Sequence, residues 1–371
     1  MGTLRTLFAI AVVLGHSLGI LLVGGRNAVQ LFYMISGFLI SYILVERKAY
    51  PDKRSFYINR FLRLYPIYCV IALLTLAIFA VAPGIAKEAN FFKVFQDAPI
   101  AADVVLICSN ITLFFQDWVM FAGVEKHQLV FSTNFLKSDV VLYQALLVPQ
   151  AWTLGVELTF YLMAPFILSK RRILVSLLAL SLSLRVGLIY FGLGSRDPWT
   201  YRFFPTELAL FLLGALAHQV LLPFYRDKLA TVQIEKYARI ATYLLIFITL
   251  VFSFLPVNET TKTLVLFAMF LALMPLTFVF QSKRAWDKWI GDLSYPIYIC
   301  HMLVIYVLTF ALEKLGPIEK IRVMGKMVPV DKLVVGMLSV IISIGFAMLL
   351  NRFVGSPIEI LRNRFRGAQE R

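Results

Sequence analysis

Residues 333–353 read LVVGMLSVIISIGFAMLLNRF, and the first eighteen of them carry no charge. An apolar α-helix of about this length can cross the hydrocarbon core of a bilayer. Nine further apolar segments precede it, at residues 6–23, 28–45, 64–83, 152–168, 173–193, 204–222, 238–255, 263–280 and 293–312. The sequence therefore predicts an all-α, polytopic membrane helix bundle with about ten transmembrane helices.

The composition requires lipid as the solvent for much of the chain. Of its 371 residues, 60% are hydrophobic and 15% are charged, and the mean hydropathy is +0.80. A water-soluble domain is nearer half apolar and a quarter charged. Because no long polar stretch separates the apolar segments, we expect a single integral-membrane domain over residues 1–371.

Basic residues determine the expected orientation. The formal net charge of +15 would suit a nucleic-acid partner. In a membrane protein, however, Lys and Arg gather in cytoplasmic loops, and this explains the charge without nucleic acid. With ten spans and a cytoplasmic N-terminus, the cytoplasmic segments hold 22 Lys and Arg residues and the external segments hold 13. We therefore expect both termini in the cytoplasm and one long external or re-entrant connection at residues 84–151.

Cysteine usage gives no sign of a metal site or a disulfide framework. Cys69, Cys108 and Cys300 lie far apart in the sequence, with no CxxC pair and no Cys/His cluster. Metal sites and disulfide frameworks usually show such spacings. We therefore expect no bound metal.

Arg5 and His16 are the first polar residues that a bilayer should exclude. They are eleven residues apart, which brings them to one helix face and puts His16 about 16 Å deeper than Arg5. Ionisable residues inside a span are costly and commonly functional. A lone His is also often a hydrogen-bonded packing residue, but the aligned Arg5 favours a functional pair, with His16 near the middle of the membrane.

The next two segments contribute small and basic residues. Ser36 and Gly37 would let either another helix or a ligand approach closely, and the sequence leaves both possibilities open. Arg60 and Arg63 share a helix face near the cytoplasmic surface, which suits a phosphate group. Anchoring to lipid headgroups would explain the two arginines equally well.

Three further ionisable residues fall inside apolar segments. Glu157 enters its segment about one turn after the start and would be neutralised or paired with His or Arg. Arg185 could pair with a carboxylate such as Glu157 or Glu207. His301 lies about two turns into its segment. All three are candidates for the functional site.

These segments together resemble the acyltransferase-3 family of membrane O-acyltransferases. The matching elements are Arg5 and His16 with ten residues between them, Ser36-Gly37-Phe38, Arg60-X-X-Arg63-X-Tyr65-Pro66, Trp152-X-Leu154-X-X-Glu157-X-X-Phe160-Tyr161, Arg202-Phe203-Phe204-Pro205-X-Glu207 and Ser294-Tyr295-X-X-Tyr298-X-X-His301. They follow the family order and cover essentially the whole chain. The family often closes with Glu-x-Pro, whereas this chain has Ser356-Pro357-Ile358-Glu359, so we assign no function to that tail.

The resemblance implies an acyltransferase that transfers groups other than aminoacyl groups, with acyl-CoA as donor and no permanently bound cofactor. Acetyl-CoA is the default donor of the family. The acceptor would be a hydroxyl of a surface or exported glycan, such as exopolysaccharide or lipopolysaccharide, and it could be lipid-linked. The protein would lie in the bacterial inner membrane, beside polysaccharide-synthesis machinery. Some members carry an extra periplasmic esterase-like domain, and we expect a member without it.

The same resemblance implies roles for the candidate residues. CoA phosphates would bind Arg60, Arg63 and Arg5 at the cytoplasmic face. We expect His16 to act as a general base on the acceptor hydroxyl rather than as an acyl relay, because a base needs one intermediate fewer. Glu157 would orient the imidazole or bind the acceptor. Substrate-binding roles are expected for Ser36, Gly37, Trp152, Arg185 and His301.

Two other functions remain open at the level of the sequence. A transporter or flippase would use the same buried charges as a substrate pathway, but transporters often show an internal repeat with paired broken helices, and we find none. A receptor or assembly scaffold would not need an Arg and a His on one helix face.

Overall fold

The structure is a computed structural model that describes residues 1–19, 22–194, 196–313, 320–323 and 326–366. Its α-helices are α1 (Gly2–Leu18), α2 (Gly25–Ser41), α3 (Lys53–Val81), α4 (Pro83–Glu88), α5 (Phe91–Asp97), α6 (Ile100–Thr112), α7 (Trp152–Ile167), α8 (Arg171–Tyr190), α9 (Phe204–Leu216), α10 (Leu222–Lys228), α11 (Thr231–Val251), α12 (Glu259–Gln281), α13 (Ala285–Glu313), α14 (Val330–Leu350) and α15 (Ser356–Asn363). π-Helical turns follow α2, α9 and α14, at Tyr42–Glu46, Ala217–Leu221 and Asn351–Gly355. Two antiparallel hairpins pair β1 (Ala122–Glu125) with β2 (Gln128–Phe131) and β3 (Lys320–Val323) with β4 (Lys326–Pro329).

The helices confirm the predicted all-α, polytopic architecture. Eight helical stretches of the described chain are long and apolar enough to cross a membrane: Gly25–Glu46, Lys53–Val81, Arg171–Tyr190, Phe204–Lys228, Thr231–Phe254, Glu259–Gln281, Ala285–Leu312 and Lys332–Asn363. The other two predicted segments form α1 and α7, which have 17 and 16 residues. Each of the ten predicted segments therefore contains a helix, and α1 and α7 are at or below the usual length of a span.

Asp287 of α13 anchors the start of α1. The first N–H groups of a helix have no partner within the helix. Gly2 and Thr3 donate theirs to the Asp287 carboxylate, at 2.6 and 2.9 Å, and the Thr3 hydroxyl adds a hydrogen bond of 2.7 Å. The N-terminus of a helix is also its positive end, so the carboxylate is stabilised electrostatically there. The start of α1 is thereby fixed against the start of α13.

The two helices approach so closely at this anchor that glycine is required on both. A β-carbon at Gly291 would lie 2.5 Å from the Cα of Gly2, and one at Gly2 would lie 1.8 Å from the carbonyl oxygen of Asp287. Fourteen residues beyond Gly2 and Asp287, His16 and His301 face each other with ring centroids 5.3 Å apart. The helices therefore run parallel, and the histidines lie about 21 Å along the axis from the anchor.

The end of α1 differs from the prediction. The apolar segment at residues 6–23 predicts a helix that continues well beyond His16. In the structure Gly19 adopts a left-handed conformation with φ of 65° and ends α1 after Leu18. A residue without a β-carbon takes that conformation without strain, so Gly19 is a natural helix end. His16 consequently lies in the last turn of α1. It faces His301, which is near the middle of the helical stretch Ala285–Leu312, and its expected depth near the middle of the membrane stays a prediction.

The connection at residues 84–151 has secondary structure of its own. It contains most of α4, all of α5 and α6, and the β1–β2 hairpin. On α6 the side chains of Ile100, Val104, Ile107 and Ile111 form an exposed apolar row at helical spacing. We expect this row to face lipid, although α6, with 13 residues, is too short to span a bilayer.

Replacing Gly291 by Ala should force α1 and α13 apart at their anchor. The added β-carbon would meet backbone atoms of Gly2, which cannot rotate away, so we expect a loss of about 1–3 kcal/mol in the free energy of unfolding. Gly187→Ala on α8 is the matched control, because its added β-carbon would meet no described atom within 4 Å beyond its chain neighbours and the backbone of its own helix. Thermal unfolding in one detergent measures both variants, and equal midpoints would contradict the close contact described here.

Candidate active site

A cleft of about 490 Å³ opens at the end of the bundle where α1 and α13 begin. We call it the basal cleft, and its walls include parts of α1, α3, α13 and α15. The charged residues that line it are the cations Arg5, Arg63, Arg284, Lys288, Arg362 and Arg366 and the carboxylates Asp287, Asp292 and Glu359. The excess of positive charge suits a multiply charged anion.

The carboxylates of the basal cleft neutralise only part of this charge. Glu359 forms ion pairs with both Arg362 and Arg366, the latter at 3.2 Å. Asp287 is occupied by the start of α1. Four cations form no ion pair within the described part of the chain, and they are Arg5, Arg63, Arg284 and Lys288. These four side chains are free to bind an anionic ligand.

A narrower pocket continues from the basal cleft into the bundle. This interior pocket shares Arg5 and Tyr295 with the cleft and has a volume of about 50 Å³, room for a few water molecules. Glu157 lines it and accepts hydrogen bonds from the Ser36 hydroxyl at 2.7 Å and from the Tyr161 hydroxyl. The carboxylate in the wall of this pocket is thus already held by two hydroxyls.

His16 and His301 form a histidine pair next to the interior pocket. Tyr298 lines the pocket, and its ring centroid is 5.8 Å from that of His301. His301 is completely buried, and its Nδ1 lies 2.6 Å from the carbonyl oxygen of Tyr298. A carbonyl can only accept, so Nδ1 carries a hydrogen, and Nε2 of the neutral ring is an acceptor. This Nε2 has no partner among the described residues, and the ring of the exposed His16 lies with its centroid 5.3 Å from that of His301.

Arg60 supports a wall of the basal cleft and does not line it. Its guanidinium donates to the Tyr50 hydroxyl and to the side-chain oxygen of Asn59, both at 2.8 Å. Asn59 in turn donates to the backbone carbonyl of Arg362 at 3.1 Å. Arg60 thereby helps to hold α15 against α3. Of the two arginines in the predicted phosphate motif, Arg63 is the one that faces the cleft.

Trp152, at the start of α7, lies beneath an arginine. The guanidinium of Arg202 is 4.3 Å from the centroid of the Trp152 ring, and it is held by hydrogen bonds of 2.7 and 2.9 Å to Asp197. Arg202 is also close enough to His16 to act on it electrostatically. The Trp152–Arg202 stack therefore belongs to the surroundings of the histidine pair.

Arg185 and Gly37 make contacts with α9. Arg185 donates to the carboxylate of Glu207 at 2.6 Å, and Glu207 is one of the two partners that the sequence suggests. A β-carbon at Gly37 would lie 1.9 Å from the carbonyl oxygen of Phe211, so this glycine permits close packing of α2 on α9. Within the described residues, neither side chain lines the basal cleft or the interior pocket. Their expected substrate-binding roles stay predictions.

The structure thus divides the predicted site residues into two groups. Arg5, Ser36 and Glu157 meet at the interior pocket, whereas His16 and His301 form the separate histidine pair. The hydrogen-bond partners of Glu157 among the described side chains are Ser36 and Tyr161, not His16. Orienting the imidazole of His16 is one of the two roles expected of Glu157. In this geometry Glu157 makes no hydrogen bond to that imidazole.

Asp287, Arg284 and Lys288 line the basal cleft but are not among the residues predicted for the site. Arg284 and Lys288 entered the prediction only as basic residues that set the orientation. A usable signal is present nonetheless, because Arg284, Lys288, Asp292 and Tyr295 follow one another at spacings of four, four and three residues. Such spacing marks one helix face, and here it marks the polar face of α13 that lines the basal cleft.

Asp117 is buried beside the helix that carries Trp152 and Glu157. It is 2% exposed, and its Oδ1 lies 2.7 Å from where a β-carbon of Gly155 would stand. Burial raises the pKa of its carboxyl to about 7, and the backbone N–H groups of Asp117 and Trp118 offset only part of that effect. The long connection therefore packs against the start of α7 through a carboxyl that is neutral below pH 7.

Comparison with known proteins gives a family and distant relatives. The family model acyltransferase-3, described as an acyltransferase domain, matches residues 2–352. Similar curated proteins carry the name "Putative O-acetyltransferase" in Staphylococcus aureus strains COL, MSSA476 and N315. Each is 26% identical over 328 residues, which cover 81% of this chain and 50% of the relative. The chain thus spans about half the length of these curated relatives. No solved structure matches it.

The pKa of Asp117 should make stability depend on pH. A folded-state pKa of about 7 lies above the unfolded value, so between about pH 4 and pH 7 only the folded state keeps the proton, and stability falls as pH rises through this window. Asp117→Asn stays neutral and removes this loss. When the pH is raised from 5 to 8, we expect the free energy of unfolding of Asp117→Asn to increase relative to that of the wild type by on the order of a few kcal/mol.

Thermal unfolding midpoints of the wild type and Asp117→Asn at pH 5 and pH 8 measure this gain. Asp139→Asn, at an exposed position of the same connection, is the control. A difference between wild type and Asp117→Asn that does not change with pH would show that Asp117 is ionised in both states.

Proposed function

This chain belongs to the acyltransferase-3 family, and we propose that it is a membrane O-acyltransferase. It would transfer an acyl group, by default acetyl, from acyl-CoA to a hydroxyl of a surface or exported glycan. The names of the curated relatives support acetyl as the transferred group. The arrangement of the site supports acyl-CoA as the donor and a glycan as the acceptor.

One observation carries this proposal, and it is the order of sites along α1 and α13. The unpaired cations of the basal cleft come first, the interior pocket with Glu157 follows, and the histidine pair comes last. Arg5 and His16 are eleven residues apart on α1, about 16 Å along the axis. A long, thin donor that is anionic at one end and reactive at the other would match this order.

Acyl-CoA is such a donor. Its phosphates would bind Arg63 and Arg5, which lie free in the basal cleft, while Arg60 would act indirectly by keeping α15 in place. The pantetheine arm would extend through the interior pocket toward His16. The pocket is too narrow for this arm as it stands, so the aromatic side chains that line it, among them Phe32, Tyr295 and Tyr298, would have to move.

His16 would act as the general base. It would take the proton of the acceptor hydroxyl while that oxygen attacks the thioester carbonyl. The C–S bond then breaks, and the imidazolium returns the proton to the leaving CoA thiolate. The buried Nε2 of His301 is an acceptor that no described residue occupies, and it would receive the N–H of a rotated His16 ring. Such a bond would fix the tautomer in which the other nitrogen of His16 is the base.

The acceptor would approach from the protein surface. His16 is exposed, whereas His301 is completely buried. The nearby Trp152–Arg202 stack offers an aromatic and cationic neighbour for a sugar.

Glu157 would act on the donor route between Arg5 and Tyr298 rather than on the acceptor. The basal cleft would face the cytoplasm of a bacterial inner membrane, because acyl-CoA is made there.

The transport alternative has less support. A flippase or transporter for a glycan needs a pathway that admits a sugar ring. The interior pocket of about 50 Å³ admits only a few water molecules, and it leads to a histidine pair of which one member is sealed from solvent. An acyl chain passing through a narrow opening fits these dimensions better than a sugar does.

Removing the imidazole of His16 should abolish transfer. Membranes that contain the protein are incubated with acetyl-CoA labelled in the acetyl group, and the label is followed into cell-surface glycan. We expect His16→Ala to lower the rate by roughly 10²- to 10⁴-fold, the usual contribution of a general base. His127→Ala, in an exposed turn between β1 and β2, is the control and should keep full activity. Undiminished transfer by His16→Ala, at an equal amount of protein in the membrane, would rule out the proposed role.

A further inference from the structure

The unpaired cations of the basal cleft lie at two levels along α13. Arg5 and Tyr295 border both the cleft and the interior pocket, and they mark the inner level. Lys288 precedes Tyr295 by seven residues, about 10 Å along the axis of α13. Arg284 is the residue immediately before α13, about 16 Å from Tyr295 on the same scale. We call these two side chains the outer rim.

Both side chains of the outer rim are available to a ligand. Each is exposed, and neither forms an ion pair with any described residue. The guanidinium of Arg284 lies on the ring of Phe280, 3.9 Å from the centroid. Stacking of this kind holds the plane of the guanidinium and leaves its N–H groups available to a phosphate. Arg284 borders both the basal cleft and a second surface groove, which Phe280 and Glu235 line.

The acidic groups near the outer rim do not cancel its charge. Asp287 is bound by the start of α1. Glu235, the acidic group nearest to Arg284 on α11, is paired with Lys283 at 2.9 Å. Asp292 is shared electrostatically among Lys288, Arg63 and Arg5. A second anionic group on a ligand would therefore be attracted to the rim.

A ligand that fills both levels needs two separate anionic groups. Acyl-CoA has a diphosphate between its pantetheine arm and its ribose, and a phosphate monoester on the 3′ oxygen of that ribose. Since the thioester must lead toward His16, the diphosphate would fall at the inner level, beside Arg5 and Arg63. The 3′-phosphate would then fall further out, where the rim lies.

We propose that Arg284 and Lys288 bind the 3′-phosphate of acyl-CoA and make the enzyme selective for 3′-phosphorylated donors. This inference rests on the proposed use of acyl-CoA as donor. A phosphate monoester carries a charge of about −1.5 to −2 near pH 7, so a donor that lacks it leaves two cations unmatched. Thioesters of 3′-dephospho-CoA, or of a phosphopantetheine arm without the nucleotide, would bind more weakly.

Binding of CoA and of 3′-dephospho-CoA to the full-length protein tests the proposal. The protein is placed in nanodiscs of phosphatidylcholine, so that no anionic lipid headgroup competes for the rim. We expect wild type to bind CoA at least about tenfold more tightly than 3′-dephospho-CoA, the usual effect of a hydrogen-bonded charge pair. Arg284→Gln and Lys288→Gln should each weaken CoA binding several-fold and leave binding of 3′-dephospho-CoA unchanged.

The double variant and a matched control complete the design. With both rim cations removed, the ratio of the affinity for CoA to the affinity for 3′-dephospho-CoA should fall to about one. Arg171→Gln, an exposed arginine at the start of α8 that does not line the basal cleft, should keep the wild-type preference. Unfolding midpoints equal to that of the wild type establish that the variants are folded, as expected for exposed side chains.

Each other outcome overturns a distinct claim. Equal affinity of wild type for the two compounds, with label transfer from acetyl-CoA intact, would overturn the rim proposal and leave the proposed function standing. A preference for CoA that survives in the double variant would also overturn the assignment to Arg284 and Lys288. Failure of wild type to bind either compound, together with no label transfer, would overturn the proposed function itself. If the rim binds only anionic lipid headgroups, wild type would bind CoA and 3′-dephospho-CoA equally in phosphatidylcholine nanodiscs. It would also bind CoA more weakly in phosphatidylglycerol nanodiscs.

Discussion

The contact between Asp287 and the first N–H groups of α1 is the constraint on which the site depends. It pairs the positive end of one helix with a buried carboxylate of another, and glycines at positions 2 and 291 make the approach close enough for these bonds. Because both helices then rise by the same amount per residue, His16 and His301 arrive at the same height fourteen residues later. A shift of α1 by one residue would turn the imidazole of His16 about 100° away from its partner.

The cost of burying unpaired charge explains where the remaining polar residues lie. Arg185, which meets the apolar core, is paired with Glu207, and Glu157 accepts two hydroxyl hydrogen bonds. Arg5 and Arg63 have no such partner in the part of the chain that the structure describes, and instead line a cleft that water or an anion can reach. Unpaired charges in a membrane protein persist at cavities of this kind, where solvation replaces the missing partner. The distribution of partners therefore separates residues that support the bundle from residues that are free to bind.

Hydropathy was sufficient to predict the ten apolar helices, because a segment that lies against lipid or in the bundle core must itself be apolar. It did not predict the secondary structure of the connection at residues 84–151. The same-face relation of Arg5 and His16 also follows from spacing alone. Neither hydropathy nor spacing could show that Gly19 ends α1 just after His16. Nor could they show that Arg60 is held by Tyr50 and Asn59 while Arg63 faces the cleft, since the walls of that cleft come from segments distant in sequence. The partnership of His16 with His301 was likewise beyond reach. It arises from the docking of α1 on α13, and the sequence places those two histidines 285 residues apart.

The central claim is that the donor enters through the basal cleft on one side of the membrane and its acyl group leaves at the histidine pair. Transfer in sealed membrane vesicles of opposite orientation tests it most directly, because acyl-CoA carries too much charge to cross a bilayer. Labelled acetyl-CoA added outside should support transfer in inside-out vesicles, which expose the predicted cytoplasmic face. Right-side-out vesicles should become active only when they are made permeable. Equal transfer by both sealed preparations would contradict a donor site at the basal cleft.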